Sequence, residues 1–280
     1  MVASRAVLLR IGHSPDPDDA FMFWALAEGH GPAPGWELEW HRRDIGTLNA
    51  WAREGRLDVT AVSLHTYPHV QDEYALLAHG ASMGSGYGPI VVAREPLGLD
   101  RLRQVEIVVP GVSTTAFLVL RLALGGFSFR ELPFDRILDE VQSGSAEAGL
   151  VIHEGQLTYA DAGLEKCLDL GEWWLLETGL PLPLGVNVAR RALGDRLDEV
   201  SGLVRRSIHV GLERRDEALA FALGFGRGID DETADRFVSM YVNELTCDFG
   251  DEGREAVAEL LRRADAIGAL PAPVRLDFVP

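Results

Sequence analysis

Apolar strand-like runs and helix-like runs alternate through the first two thirds of this chain, and that alternation constrains its fold more than any other feature. Apolar residues dominate 6–11 and lead through a proline-rich turn into a helical pattern over 19–28. WELEWHRR alternates as a strand does, and IGTLNAWAREG reads as a short helix ended by Gly55. LDVTAVS reads as a buried strand, TYPHVQDEYALLA as a helix with Pro68 near its start, and GPIVVARE as a β-branched strand. The unit then restarts. VEIVVPGVSTTAFLVLRLAL is strand, glycine-bearing turn and helix, and RELPFDRILDEVQSGSAEAGLVIHEG is strand, helix and strand. Strong helical periodicity runs from about residue 195 to 268. This pattern predicts an α/β protein with mainly parallel sheets. Joints near VVAREPLG and PLPLGVNVARR predict two lobes, one from 1–93 and 190–280 and the other from 94–189, with two extended crossings. A cleft between lobes is a natural ligand site, and paired crossings are a natural hinge.

With 280 residues, 47% of them hydrophobic, the chain is near the size at which one core divides into two. A net charge of −17 opposes a nucleic-acid partner. An anionic small molecule remains admissible, because helix ends and backbone amides bind anions locally. Cys167 and Cys247 lie far apart in no metal-ligand pattern, so two free thiols are expected. No segment has the ~18 consecutive apolar residues of a membrane span, and the first apolar run is too short for a secretory signal. A cytoplasmic protein with no membrane partner is the expectation.

In open α/β sheets, ligands gather beyond the carboxyl ends of strands. The first strand is followed by His13, Ser14, Asp16, Asp18 and Asp19, and LDVTAV by Ser63 and His65. VEIVVP is followed by Gly111, Ser113, Thr114 and Thr115, and AGLVI by His153 and Glu154. In SPDPDDAF, Ser14 or Asp16 suits a helix cap and Pro17 a first helical position. Read as a ligand-facing helix end, the same turn puts Ser14 and Asp19 among the substrate-binding candidates. Its three aspartates also invite a divalent metal, but no second ligand cluster accompanies them, so no metal is expected. Ser113 or Thr114 suits a cap of the next helix, whose N-terminus would also suit a carboxylate. His153, closing an apolar strand, is the best candidate for a catalytic base, since imidazole titrates near neutrality. His65 and His69 have zinc-compatible spacing with no third ligand. Trp173 and Trp174 read as packing more readily than as a lid. No nucleophile elbow, dinucleotide fingerprint or phosphate loop is present.

Taken together, SPDPDDAFMFWAL, DIGTLNAWAREGRLDVTAVSLHTY, GYGPIVVA, PGVSTTAFL, GLVIHEGQLTY and DLGEWWLLETGLPLPLGVNVARR resemble the 1,4-dihydroxy-6-naphthoate synthases of the futalosine route to menaquinone. The HE…TY and LGEWW…TGLPLPLG blocks are the specific ones; the others are shared more loosely with chorismate dehydratase. The resemblance implies a two-lobed fold like that of type II periplasmic binding proteins. It implies a cofactor-free lyase that removes the sugar-derived carbons of cyclic dehypoxanthinyl futalosine. On this chain the family's base falls on His153. Its ligand contacts fall on Ala61, Val62 and Ser63, on Thr114, Thr115 and Ala116, and on Asn49. A homodimer is compatible with an enzyme of this size. Where the family usually has Ser-Pro-Cys-Pro-Asn-Asp, this chain has Asp16 and Asp18 in place of the Cys and Asn. Two alternatives stand beside this reading: chorismate dehydratase, and a non-catalytic solute-binding protein on the same fold.

Overall fold

The computed structural model describes residues 6–30, 33–224 and 230–280. The chain divides into two compact units. The first holds the chain up to Ser82, Gly185–Gly250 and Ala272–Pro280; the second holds Met83–Leu184 and Asp251–Pro271. The sequence reading left all of 190–280 in one lobe, whereas 251–271 belongs with the second unit. The reason is a long-range contact that local periodicity does not carry. The helix Gly250–Ala266 brings the Arg263 guanidinium to 5.3 Å from the ring centre of Trp174 and within 3.9 Å of Glu177. Chain boundaries between the units therefore fall at four places, after Ser82, Leu184, Gly250 and Pro271, rather than at two.

In the first unit the sheet order is Phe278–Val279, Tyr74–Leu77, Leu182–Arg190, Val59–Ser63, Val7–His13 and Trp36–Arg42. The strand Val7–His13 pairs parallel with both Trp36–Arg42 and Val59–Ser63, with Gly12 beside Thr60. That register sets the ends of two strands, at His13 and Ser63, toward the same edge. The helix Pro17–Ala27 is buried over nearly its whole circumference, which explains why its apolar residues show little sidedness. Leu9, Ile11, Phe21, Phe23, Leu203, Val204 and Ile208 form the core around it. Gly211 packs closely there, since a Cβ would come 3.2 Å from Phe21 Cε1 and 3.3 Å from the Phe21 carbonyl oxygen.

In the second unit the order is Glu165–Asp169, Ile90–Ala93, Ala148–Val151, Glu106–Val109 and Ser128–Glu131. The strands Glu106–Val109 and Ala148–Val151 lie parallel side by side, so the turns that follow them are neighbours. Ile90, Val92, Val108, Ile137, Val141 and Val151 make the core.

Both sheets are mixed rather than mainly parallel. Leu182–Arg190 runs antiparallel to both of its neighbours in the first unit, and Ile90–Ala93 does so in the second. A parallel neighbour demands a long crossover, whereas these strands enter directly after changes of unit and have none. The helix expected over TYPHVQDEYALLA is also absent. A 3₁₀ turn spans Leu64–His69 and a strand spans Tyr74–Leu77. Pro68 supports only the short turn, and Tyr74, Ala75, Leu76 and Leu77 are buried on both faces, which suits a central strand.

Candidate functional site

Each unit collects polar residues at its strand ends. In the first, His13 ends its strand fully buried, stacked on Phe23 at 5.3 Å and edge-on to Trp40 at 5.8 Å. Its Nδ1 donates to the Ser14 carbonyl oxygen at 2.6 Å, and Nε2 has no partner. Burial, before any charge effect, lowers its pKa to about 4. The turn then folds on itself. The Asp16 amide donates to Ser14 Oγ at 3.2 Å, and the Ser14 amide donates to Asp19 Oδ2 at 2.9 Å. Asp16 occupies the N-cap position with Pro17 behind it, yet its carboxylate makes no capping bond. Asp18 Oδ2 instead accepts from Ser82 Oγ at 2.8 Å. Asp16, Asp18 and Asp19 are all buried. No described Lys, Arg or His forms an ion pair with Asp19, and its pKa is raised well above the carboxylate range, first by burial and then by the neighbouring Asp18 charge. Among the described residues no group of three or more His, Cys, Asp and Glu is arranged to hold a metal ion.

Asn49 lies on the helix Ile45–Arg53, whose N-cap Asp44 accepts from the Thr47 amide. It grips Ser63 twice: Nδ2 donates to Ser63 Oγ at 3.1 Å, and Oδ1 accepts from the Ser63 amide at 2.9 Å. Because Ser63 Oγ accepts from Asn49, its own proton is left available for donation. Asn49 thus sets Ser63. Ala61 and Val62 are buried strand residues opposite Asn187 and Val186, with Ala61 packed on Leu48 and Leu57. His65 and His69 stand with ring centres 6.4 Å apart.

In the second unit the turn after Glu106–Val109 passes Gly111, whose φ of 146° suits glycine, and is held by the Val112 amide donating to Glu131 Oε2 at 3.1 Å. Thr114 then caps the helix Thr115–Leu124: its Oγ1 accepts from the Phe117 amide at 3.2 Å and donates to the Gly111 carbonyl at 2.8 Å. Thr115 Oγ1 donates to the Leu184 carbonyl at 2.6 Å. Both hydroxyl protons therefore point into the protein. What this helix end offers an anion is the dipole and the first-turn amides of Thr115 and Ala116.

His153 lies just beyond the neighbouring strand Ala148–Val151, half-buried, with its ring edge-on to Phe134 at 4.8 Å. It is the one non-glycine residue with positive φ among the described residues, at 56°. The Gln156 amide donates to its carbonyl at 3.1 Å and closes the turn. A left-handed, non-glycine residue at a strand end is a recurrent mark of a working site. Ser82, Glu131 and Phe134 carried no motif in the sequence; each reaches its partner through tertiary contact alone. Trp174 is buried, its Nε1 donating to the Pro181 carbonyl at 3.0 Å, so packing explains it.

Two α/β units with these mixed sheets have the periplasmic-binding-protein-like fold. Solved structures agree: the alkanesulfonate-binding protein of Xanthomonas axonopodis superposes with a TM-score of 0.70 at 12% identity, over 99% of this chain and 98% of that one. A family model described as menaquinone biosynthesis matches residues 9–266, and the chain belongs to that family. It is 45% identical to a 1,4-dihydroxy-6-naphthoate synthase of Thermus thermophilus, over 95% of this chain and 97% of that protein. It is 40% identical to one of Streptomyces coelicolor, over 94% and 95%. A crystal structure of an Archaeoglobus fulgidus protein matches with a TM-score of 0.88 and 43% identity, over 94% of this chain and 98% of that one.

Proposed function

We propose that this protein is a 1,4-dihydroxy-6-naphthoate synthase acting on cyclic dehypoxanthinyl futalosine in the cytoplasm, with His153 as the general base. The observation that carries the reading is the 45% and 40% identity to two synthases of that name over nearly the full chain. The substrate-binding set is Ser14, Asp19, Asn49, Ala61, Val62, Ser63, Thr114, Thr115 and Ala116. Within it, the amides of Thr115 and Ala116 receive the substrate carboxylate, and Ser63 donates to a hydroxyl or carbonyl oxygen. Asn49 acts through Ser63, which it clamps from both sides. His153 removes a proton from the substrate, the released electron pair breaks the carbon–carbon bond to the sugar-derived fragment, and the remaining bicycle gains aromaticity. A base and an aromatising leaving step need no cofactor for this balance. The anionic substrate suits local amides in spite of the chain's acidic total charge.

The test is incubation of the purified protein with cyclic dehypoxanthinyl futalosine, with detection of the naphthoate by mass and absorbance. Formation of the naphthoate is expected. Turnover of chorismate instead, or binding of the cyclic substrate without turnover, would overturn the proposal in favour of a dehydratase or a non-catalytic binder.

A further inference from the structure

The helix Thr115–Leu124 has a second feature at its far end. A recess there is lined by Arg121, Gly125, Gly126, Phe127, Phe129 and Ile267. Two aromatic rings, Phe127 and Phe129, line it 5.9 Å apart, and buried Phe117 packs on them, 4.7 Å from Phe129 and 6.1 Å from Phe127. Phe129 and Ile267 are 40% and 41% exposed and share this one recess, so their apolar surface forms a patch. The Arg121 carbonyl accepts from the Gly125 amide at 2.9 Å, whereas its guanidinium makes no hydrogen bond and no ion pair with any described residue. A Cβ at Gly126 would meet nothing within 4 Å.

Apolar rings beside an unpaired guanidinium call for a ligand that is flat, apolar and singly anionic at one end. We infer that this recess binds a planar aromatic carboxylate, its rings against Phe127, Phe129 and Ile267 and its carboxylate on Arg121. Aromatic contacts favour offset or edge-on ring partners, and an arginine–carboxylate bond is charge-assisted. The recess is distinct from the Thr114 cap: the ten residues between the two ends of the helix span about 15 Å. Phe117 joins the two places. Its amide donates to the capping Thr114 hydroxyl, and its ring packs on Phe129 of the recess. The naphthoate product proposed above falls in the ligand class, so occupation of the recess gives that product a second contact with the protein. The binding itself follows from the recess and does not rest on that reading.

The probe is 2-naphthoate, and the reporter is the δ-methyl of Ile267 in a methyl-labelled full-length protein, assigned with Ile267→Val. Titration of 2-naphthoate is expected to move this resonance, and the uncharged 2-naphthalenemethanol to act at least about tenfold more weakly. Arg121→Gln is expected to weaken the response by about tenfold. Gly126→Leu fills the recess and is expected to abolish the response, while both variants keep wild-type turnover. His153→Ala is expected to leave the response unchanged. No response of Ile267, or an equal response in wild type, Arg121→Gln and Gly126→Leu, would overturn the inference. A shift that follows protein concentration instead of ligand would overturn it too, by assigning the face to a second copy of the chain. None of these outcomes depends on whether the cyclic substrate is turned over.

Discussion

At the residue scale, His153 combines an imidazole with a backbone angle that most side chains avoid. Holding a non-glycine residue there costs about 1–3 kcal/mol, and the surrounding turn must supply it. A purely structural position would be better served by glycine. His153→Gly is therefore expected to unfold at the same temperature as wild type or higher, while turnover falls by roughly 10²–10⁴. His153→Ala should show the same loss of turnover. Near-wild-type rates in both variants would remove this imidazole from the reaction. The sequence made the histidine visible at the end of an apolar strand, but not its twist or the Phe134 ring beside it, because neither has a local signature. Asn49 is a second case. Its place on a helix was legible, whereas its two bonds to Ser63 depend on a strand arriving beside that helix.

At the element scale, the GYGP and LGEWW stretches explain each other. The helix Leu170–Thr178 begins so close to the Tyr87–Gly88 backbone that a Cβ on Gly171 would stand 2.0 Å from the carbonyl carbon and oxygen of Tyr87. The Leu170 amide donates to the Pro89 carbonyl at 2.9 Å and fixes that approach. Gly171→Ala must push two backbone segments apart and is expected to cost about 3 kcal/mol, read as a lower urea midpoint. Gly126→Ala, with open space around the added carbon, should change stability by less than about 0.5 kcal/mol and leave the midpoint nearly unmoved. Equal midpoints for the two variants would refute this account. Elements with local signals, the proline at the first position of Pro17–Ala27 and the Thr114 cap of Thr115–Leu124, were readable in sequence. Tyr74–Leu77 was not, since a short strand buried on both faces shows no period of two.

At the scale of the whole molecule, the buried titratable groups set a pH range. His13 and His79 are both held near 4 by burial, so each stays neutral in the folded chain while an unfolded histidine gains a proton below about 6.5. Between those values the unfolded state binds more protons. Stability is therefore lost as pH falls from about 6.5 to about 4, on the order of 3 kcal/mol for each histidine. Asp19 works in the other direction. Its raised pKa keeps a proton on the folded protein that the unfolded chain releases near 4, so its contribution declines as pH rises from there through the raised value. The expected urea midpoint is greatest between about pH 6 and 7, with comparable slopes on the two sides, since one of the two histidine protons is offset by Asp19 on the acid side. Asp19→Asn should flatten the alkaline side and steepen the acid side. A wild-type midpoint constant from pH 4 to 7 would contradict this assignment.

The interleaving of the chain between its units has a practical consequence for anyone dissecting the protein. Neither half is a contiguous stretch of gene, and the segment 83–184 expressed alone lacks the helix that sets Arg263 on Trp174. Trimming from the carboxyl end injures both halves in turn: first the strand Phe278–Val279 of one, then the helix Gly250–Ala266 of the other. Fragment complementation or a swap of lobes between homologues would have to carry three pieces of one half and two of the other, with every seam cut in register.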